Sequence, residues 1–166
     1  MIISARDMMV IAGIGFTLAI TLLILHFSYT TISDNLLNTT QFNDSTYTRN
    51  AFIRGQELIN RFDWVFFVGF ISLIMVALIT AWFVASHPVL SFIFFLVVVV
   101  TVCLSAVLSH AWYRIIITGP GFSDTLQYFP ITNHVMGNLP MYMAIVGMAL
   151  LVVVFSKPSL DGGGRG

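Results

Sequence analysis

The sequence predicts an all-α integral membrane protein with four transmembrane helices, and three observations carry that prediction. Of 166 residues, 58% are hydrophobic and 8% charged, with a mean hydropathy of +0.94; ordinary soluble domains are about 45–50% apolar and about 25% charged. The charged side chains leave three long gaps, residues 8–33, 64–113 and 125–156. A hydrocarbon core about 30 Å thick takes roughly 20 apolar residues per helix, so these gaps hold one, two and one spans. Seven acidic and seven basic residues cancel, which removes the basic field that nucleic acid would need. The lone Cys103 allows no disulfide and no cysteine-based zinc site within one chain.

The first helix is expected at about 8–27, ending where the Ser/Thr/Asn-rich stretch from Ser28 to Thr40 would leave backbone groups unsatisfied in lipid. Arg6 and Asp7 cancel ahead of it and no small-x-small pattern precedes Ser28, so it reads as an uncleaved anchor. The second span starts at Trp64. Ser86-His87-Pro88 then predicts a tight turn, because proline suits the first turn of a new helix. Helix three is expected at about 89–116, stopped by Gly119-Pro120-Gly121, and helix four at 139–156, followed by a glycine-rich tail over 157–166. Trp64 and Trp82 would lie about 27 Å apart along a helix and mark two interfaces, with Trp112 and Tyr113 on the side of Trp64. Basic residues number three on one side and four on the other, so the positive-inside rule selects no orientation.

This alternation puts two loops, 28–63 and 117–138, on one face. In the first, Phe52, Leu58, Ile59 and Phe62 share a helical side opposite Arg49, Arg54, Glu57 and Arg61, with Glu57 and Arg61 at the favourable i,i+4 spacing. The pattern predicts an amphipathic helix fused to helix two as one rod over 47–84, roughly 38 residues and about 57 Å, extending beyond the membrane. Its apolar side is expected to pack on the second loop or on lipid headgroups; a docking surface for another protein is the alternative. The second loop carries Phe122, Leu126, Tyr128, Phe129, Ile131 and Val135 among turn formers and predicts a folded cap whose apolar side chains need a cover. Partner contacts are therefore expected at Arg49, Arg54, Glu57, Arg61, Phe122 and Tyr128. Asn38-Thr39-Thr40 and Asn43-Asp44-Ser45 fit the N-glycosylation pattern, which Ser/Thr/Asn-rich loops often match by chance.

Chemistry-bearing groups are sparse. The gaps contain no Asp, Glu, Lys or Arg, the usual marks of an ion or proton pathway. The phosphate-binding, HExxH and GxSxG patterns are absent, so no catalytic residue, metal or cofactor is expected. His26, His110 and His134 map to one membrane face and are the best metal-ligand candidates, although none has a histidine or carboxylate at i,i+4. Gly13, Thr17 and Thr21, and likewise Thr101, Ser105 and Ser109, form small-residue stripes expected to pack helices within the chain, with an oligomer interface or pore lining as the alternative.

The stretch Phe129-Pro130-Ile131-Thr132-Asn133-His134-Val135-Met136-Gly137-Asn138-Leu139-Pro140, leading into the last hydrophobic helix, resembles small membrane proteins of tailless, lipid-containing icosahedral bacteriophages, mainly over residues 86–156. That resemblance implies a structural protein of a virion internal membrane that links the bilayer to the capsid. The residues themselves point to a structural or assembly role in a membrane, with other protein subunits as partners and a homo-oligomer as an option. The alternatives are a holin-like pore and a small accessory subunit of a respiratory or transport complex in a cellular membrane.

Overall fold

The computed structural model describes residues 2–39, 45–83 and 88–156, and among these every regular element is helical. Helix α1 spans Ile2–Leu37. It passes the predicted stop at residue 27 because the Ser/Thr stretch satisfies itself within the helix. Thr30 donates to the His26 and Phe27 carbonyls at 3.0 Å, and Thr31 to the Phe27 carbonyl at 2.8 Å. Helix α2, Thr46–Asn60, is capped by Ser45, whose hydroxyl accepts from the Thr48 amide. Helix α3 follows over Phe62–Phe83. A single turn residue, Arg61, whose carbonyl accepts from both Trp64 and Val65 amides, separates the two, and they otherwise run on as one helix of 37 residues over Thr46–Trp82, close to the expected rod.

The buried stripe runs through that interruption without losing register: Ile59, Asp63, Phe66, Phe70, Ala77 and Ala81 all face inward. An aspartate thus occupies a core position of an otherwise apolar series. Residues 84–87, most of the predicted tight turn, lie outside the described residues, as do 40–44 and the tail 157–166. Helix α4 spans Pro88–Thr118, with proline in its first turn.

The second loop folds as α5 (Phe122–Thr125), a 3-10 turn (Leu126–Tyr128) and α6 (Pro130–Gly137). Gly121 takes φ 80° at the entry to α5, and a Cβ there would stand 2.8 Å from the Phe27 ring, so both backbone angle and space select glycine. Helix α7 covers Leu139–Phe155 and departs from α6 at 70°. Among the described residues three helices are long and apolar enough to cross a membrane, and a fourth if the bent α6–α7 pair is taken as one span. The expected count of four therefore depends on that pair, because α7 alone has 17 residues.

Helix α7 lies along α4, and α1 packs on α3 and α4. One apolar core, including Leu23, Phe66, Phe70, Trp112 and Met136, sits toward the α6 end; a second gathers Met8, Phe94, Val98, Val146, Leu150 and Val154. At their contact a Cβ on Gly147 would stand 2.5 Å from Val98 Cγ1 and 3.1 Å from Met8 Cε, so glycine sets the α4–α7 approach. Large apolar residues such as Leu18, Val76, Val107 and Met148 point outward, the surface lipid would cover.

Candidate functional site

The densest polar arrangement surrounds α6. Its N-cap residue, Phe129, offers no side-chain acceptor, and Pro130 has no amide hydrogen, so the first-turn amides of Ile131 and Thr132 need an acceptor from elsewhere. Asp63 supplies it from α3. Its Oδ2 accepts from the Ile131 amide at 2.9 Å, and its Oδ1 accepts from the Thr132 amide and the Thr132 hydroxyl, both at 2.7 Å. The carboxylate is 4% exposed and lies against the positive end of the helix, where a negative charge is favoured.

Two further side chains hold α6 from α4. The buried Trp112 indole N–H donates to Asn133 Oδ1 at 3.1 Å, and the Ser109 hydroxyl donates to the Gly137 carbonyl at 2.9 Å. The start, middle and end of α6 are thereby fixed, while Val135 and Met136 fill the core beneath. Asp63 escapes a reading of the charges alone, in which it merely bounds an apolar gap. The signal that finds it is its spacing: four residues after Ile59 and three before Phe66, it falls on the core stripe.

His26 lies beneath the preceding turn. It is 1% exposed, with its ring 4.7 Å from that of Tyr128 and 5.2 Å from that of Phe129. Asn60, the last residue of α2, has its side chain beside the imidazole, within reach of a hydrogen bond to it. The three metal-ligand candidates do not assemble: His26 is buried, His110 is exposed, and His134 is exposed with its ring 6.3 Å from Tyr142. Among the described residues no group of three His, Cys, Asp or Glu side chains is placed to hold a metal ion.

The expected partner contacts divide. Arg49, Arg54, Glu57 and Arg61 are exposed on α2. Its inner face is fixed to α1 by Tyr29, whose hydroxyl donates to the Phe52 carbonyl at 2.8 Å and whose ring fills the volume a side chain at Gly55 would need. Leu58 departs from the expected apolar side and is 61% exposed, because Ile59 rather than Leu58 lies on the inward stripe. Phe122 is an internal staple, half-buried with its ring 5.1 Å from Phe27, and Tyr128 covers His26 while staying 39% exposed.

The stripes divide as well. Thr101 and Ser105 are buried and Ser109 bonds α6, whereas Thr17 and Thr21 are exposed and back-bonded to the Gly13 and Thr17 carbonyls. Among the described residues nothing lies within 4 Å of a Cβ built at Gly13, so no neighbouring helix approaches closely at that position. Comparison with protein-family models, with curated proteins and with solved structures gave no match.

Proposed function

We propose that this chain is a structural, assembly-type protein of a membrane, with four spans counting the bent α6–α7 pair as one, that presents α2 and the α5–α6 cap on one side to other protein subunits. The observation that carries this reading is the contrast across α2. One face is locked to α1 through Tyr29 and Gly55, and the other displays Arg49, Arg54, Glu57 and Arg61. Ten residues separate Arg54 from Trp64, about 15 Å of helix, so if Trp64 marks the headgroup level Arg54 stands clear of it. A rigid charged face at that height suits a protein partner, and screening over about 8 Å weakens its attraction to lipid phosphates. On the resemblance of residues 129–140, the assembly is a virion, the bilayer its internal membrane and the partner its capsid.

Chemical cross-linking of the native membrane or particle tests the proposal. Links from 45–63 and 121–138 to another protein are expected, and Arg54→Glu with Arg61→Glu should abolish them while membrane insertion persists. Unchanged co-assembly of that variant removes α2 from the interface. A second reading, self-assembly into a pore, draws on the outward Gly13, Thr17 and Thr21 stripe. Links confined to copies of this chain through α1 would favour it.

A further inference from the structure

The rod over Thr46–Trp82 carries an outward line of residues spaced alternately four and three apart: Tyr47, Ala51, Arg54, Leu58 and Arg61 on α2, continued on α3 from Val65. Every one of them is exposed, Tyr47 by 86%. A repeat of this kind, averaging 3.5 residues, is the seam along which one helix packs on another. On α3 lipid tails cover such a seam. On α2 they do not reach it, given the reading above that sets Trp64 at the headgroup level. Leu58 stands six residues, about 9 Å, beyond Trp64, and Tyr47 seventeen residues, about 26 Å.

Charge decides what does cover it. A second copy in the same orientation shares this chain's depth in the bilayer, so the two seams would meet in register, Arg54 against Arg54 and Arg61 against Arg61. Like charges facing at successive seam positions oppose that pairing. A copy inserted the other way puts its α2 on the opposite side. Arg54 and Arg61 lie one heptad apart, about 10.5 Å along the helix, a spacing matched by two carboxylates one heptad apart on a facing helix. Glu57 flanks the seam and repels acid there, which confines the acidic positions to those opposite the two arginines. Arg49 is turned about 140° from Arg54 and lies off the seam.

We propose that the outward seam of α2 binds an acidic amphipathic helix of another protein, with apolar side chains against Tyr47 and Leu58 and carboxylates one heptad apart against Arg54 and Arg61. The inference rests on the proposed role of α2 as an assembly surface and names the chemistry of its partner.

The test uses the full chain in its native membrane or particle, in a Glu57→Gln background that removes the carboxylate flanking the seam. Arg54→Lys, Arg61→Lys and Arg49→Lys are made singly and treated with a water-soluble carbodiimide, which joins a lysine amine to a carboxylate in contact with it as an amide. Separately, a photoreactive phenylalanine analogue replacing Leu58 marks whatever lies on the seam. Amides from 54 and from 61 to acidic residues seven apart in one other protein are expected, with none from 49, and the photo-link from 58 should reach the same protein. Photo-links to another protein without amides at 54 or 61 overturn the acidic partner while leaving α2 an assembly surface. Amides to carboxylates at another spacing, or equally from 49, overturn the facing helix. Photo-links only to a second copy or only to lipid overturn both this inference and the assembly reading of α2.

Discussion

At the α6 end of the bundle, directional bonds from Asp63, Trp112 and Ser109 fix one short helix at its start, middle and end. At the other end, Met8, Phe94, Val98, Val146, Leu150 and Val154 are apolar side chains packed on one another. The difference follows from what each element must satisfy: α6 is eight residues long and most of its backbone groups are terminal, whereas the helices at the other end are long and bond within themselves. Between helices in lipid there is no hydrophobic drive, since the tails are as apolar as the side chains, and close van der Waals approach does the holding. A short helix such as α6 leaves most of its backbone groups without partners of its own, so it keeps its place only if they find partners in neighbouring elements.

Removing one partner at each end should therefore give different kinds of damage. The largest effect is expected from Asp63→Ala, which leaves two amides and a hydroxyl without their acceptor and should cost about 3 kcal/mol or more. Thermal unfolding in detergent measures it, and exchange at 130–137 should rise while that of α7 changes little. Asp63→Asn, which keeps an acceptor oxygen, should recover part of the loss. If Asp63→Ala were neutral, the polar end would be held by packing like the other.

At the apolar end, Gly147→Leu drives a side chain into Val98 and Met8 and should destabilise by about 1–3 kcal/mol, the usual range for overpacking. Val98→Ala in the same chain should restore part of it, which distinguishes a packing fault from a general effect on the helix. The smallest change is expected from Gly13→Ala, where the added methyl meets nothing in the chain and the helix gains roughly 0.5–1 kcal/mol. Loss of an oligomer on native gels from that variant, without loss of stability, would show that a second chain covers the face.

Much of this architecture is legible one residue at a time. Pro88 opens α4 because proline fits a first turn, and Ser45 opens α2 because its hydroxyl caps one. Thr30 and Thr31 mislead for a related reason: the hydroxyls that favour turns also bond back into their own helix, and α1 continues. The two small-residue stripes look alike in sequence, yet only Thr101, Ser105 and Ser109 turn inward; the rotation of each helix about its axis is set by its neighbours.

By itself the sequence determined that this chain is helical, that its long apolar stretches are long enough to cross a membrane, and where its charges gather, because helix propensity, hydropathy and charge are properties of consecutive residues. Only the tertiary structure decided that Asp63 is a buried cap for a helix 68 residues downstream, that His26 is buried beneath Tyr128, and that α6 meets α7 at 70°. Those are relations between segments far apart in the chain. A hydrogen bond depends on a few tenths of an ångström and on the angle between its groups, which spacing along one helix does not encode.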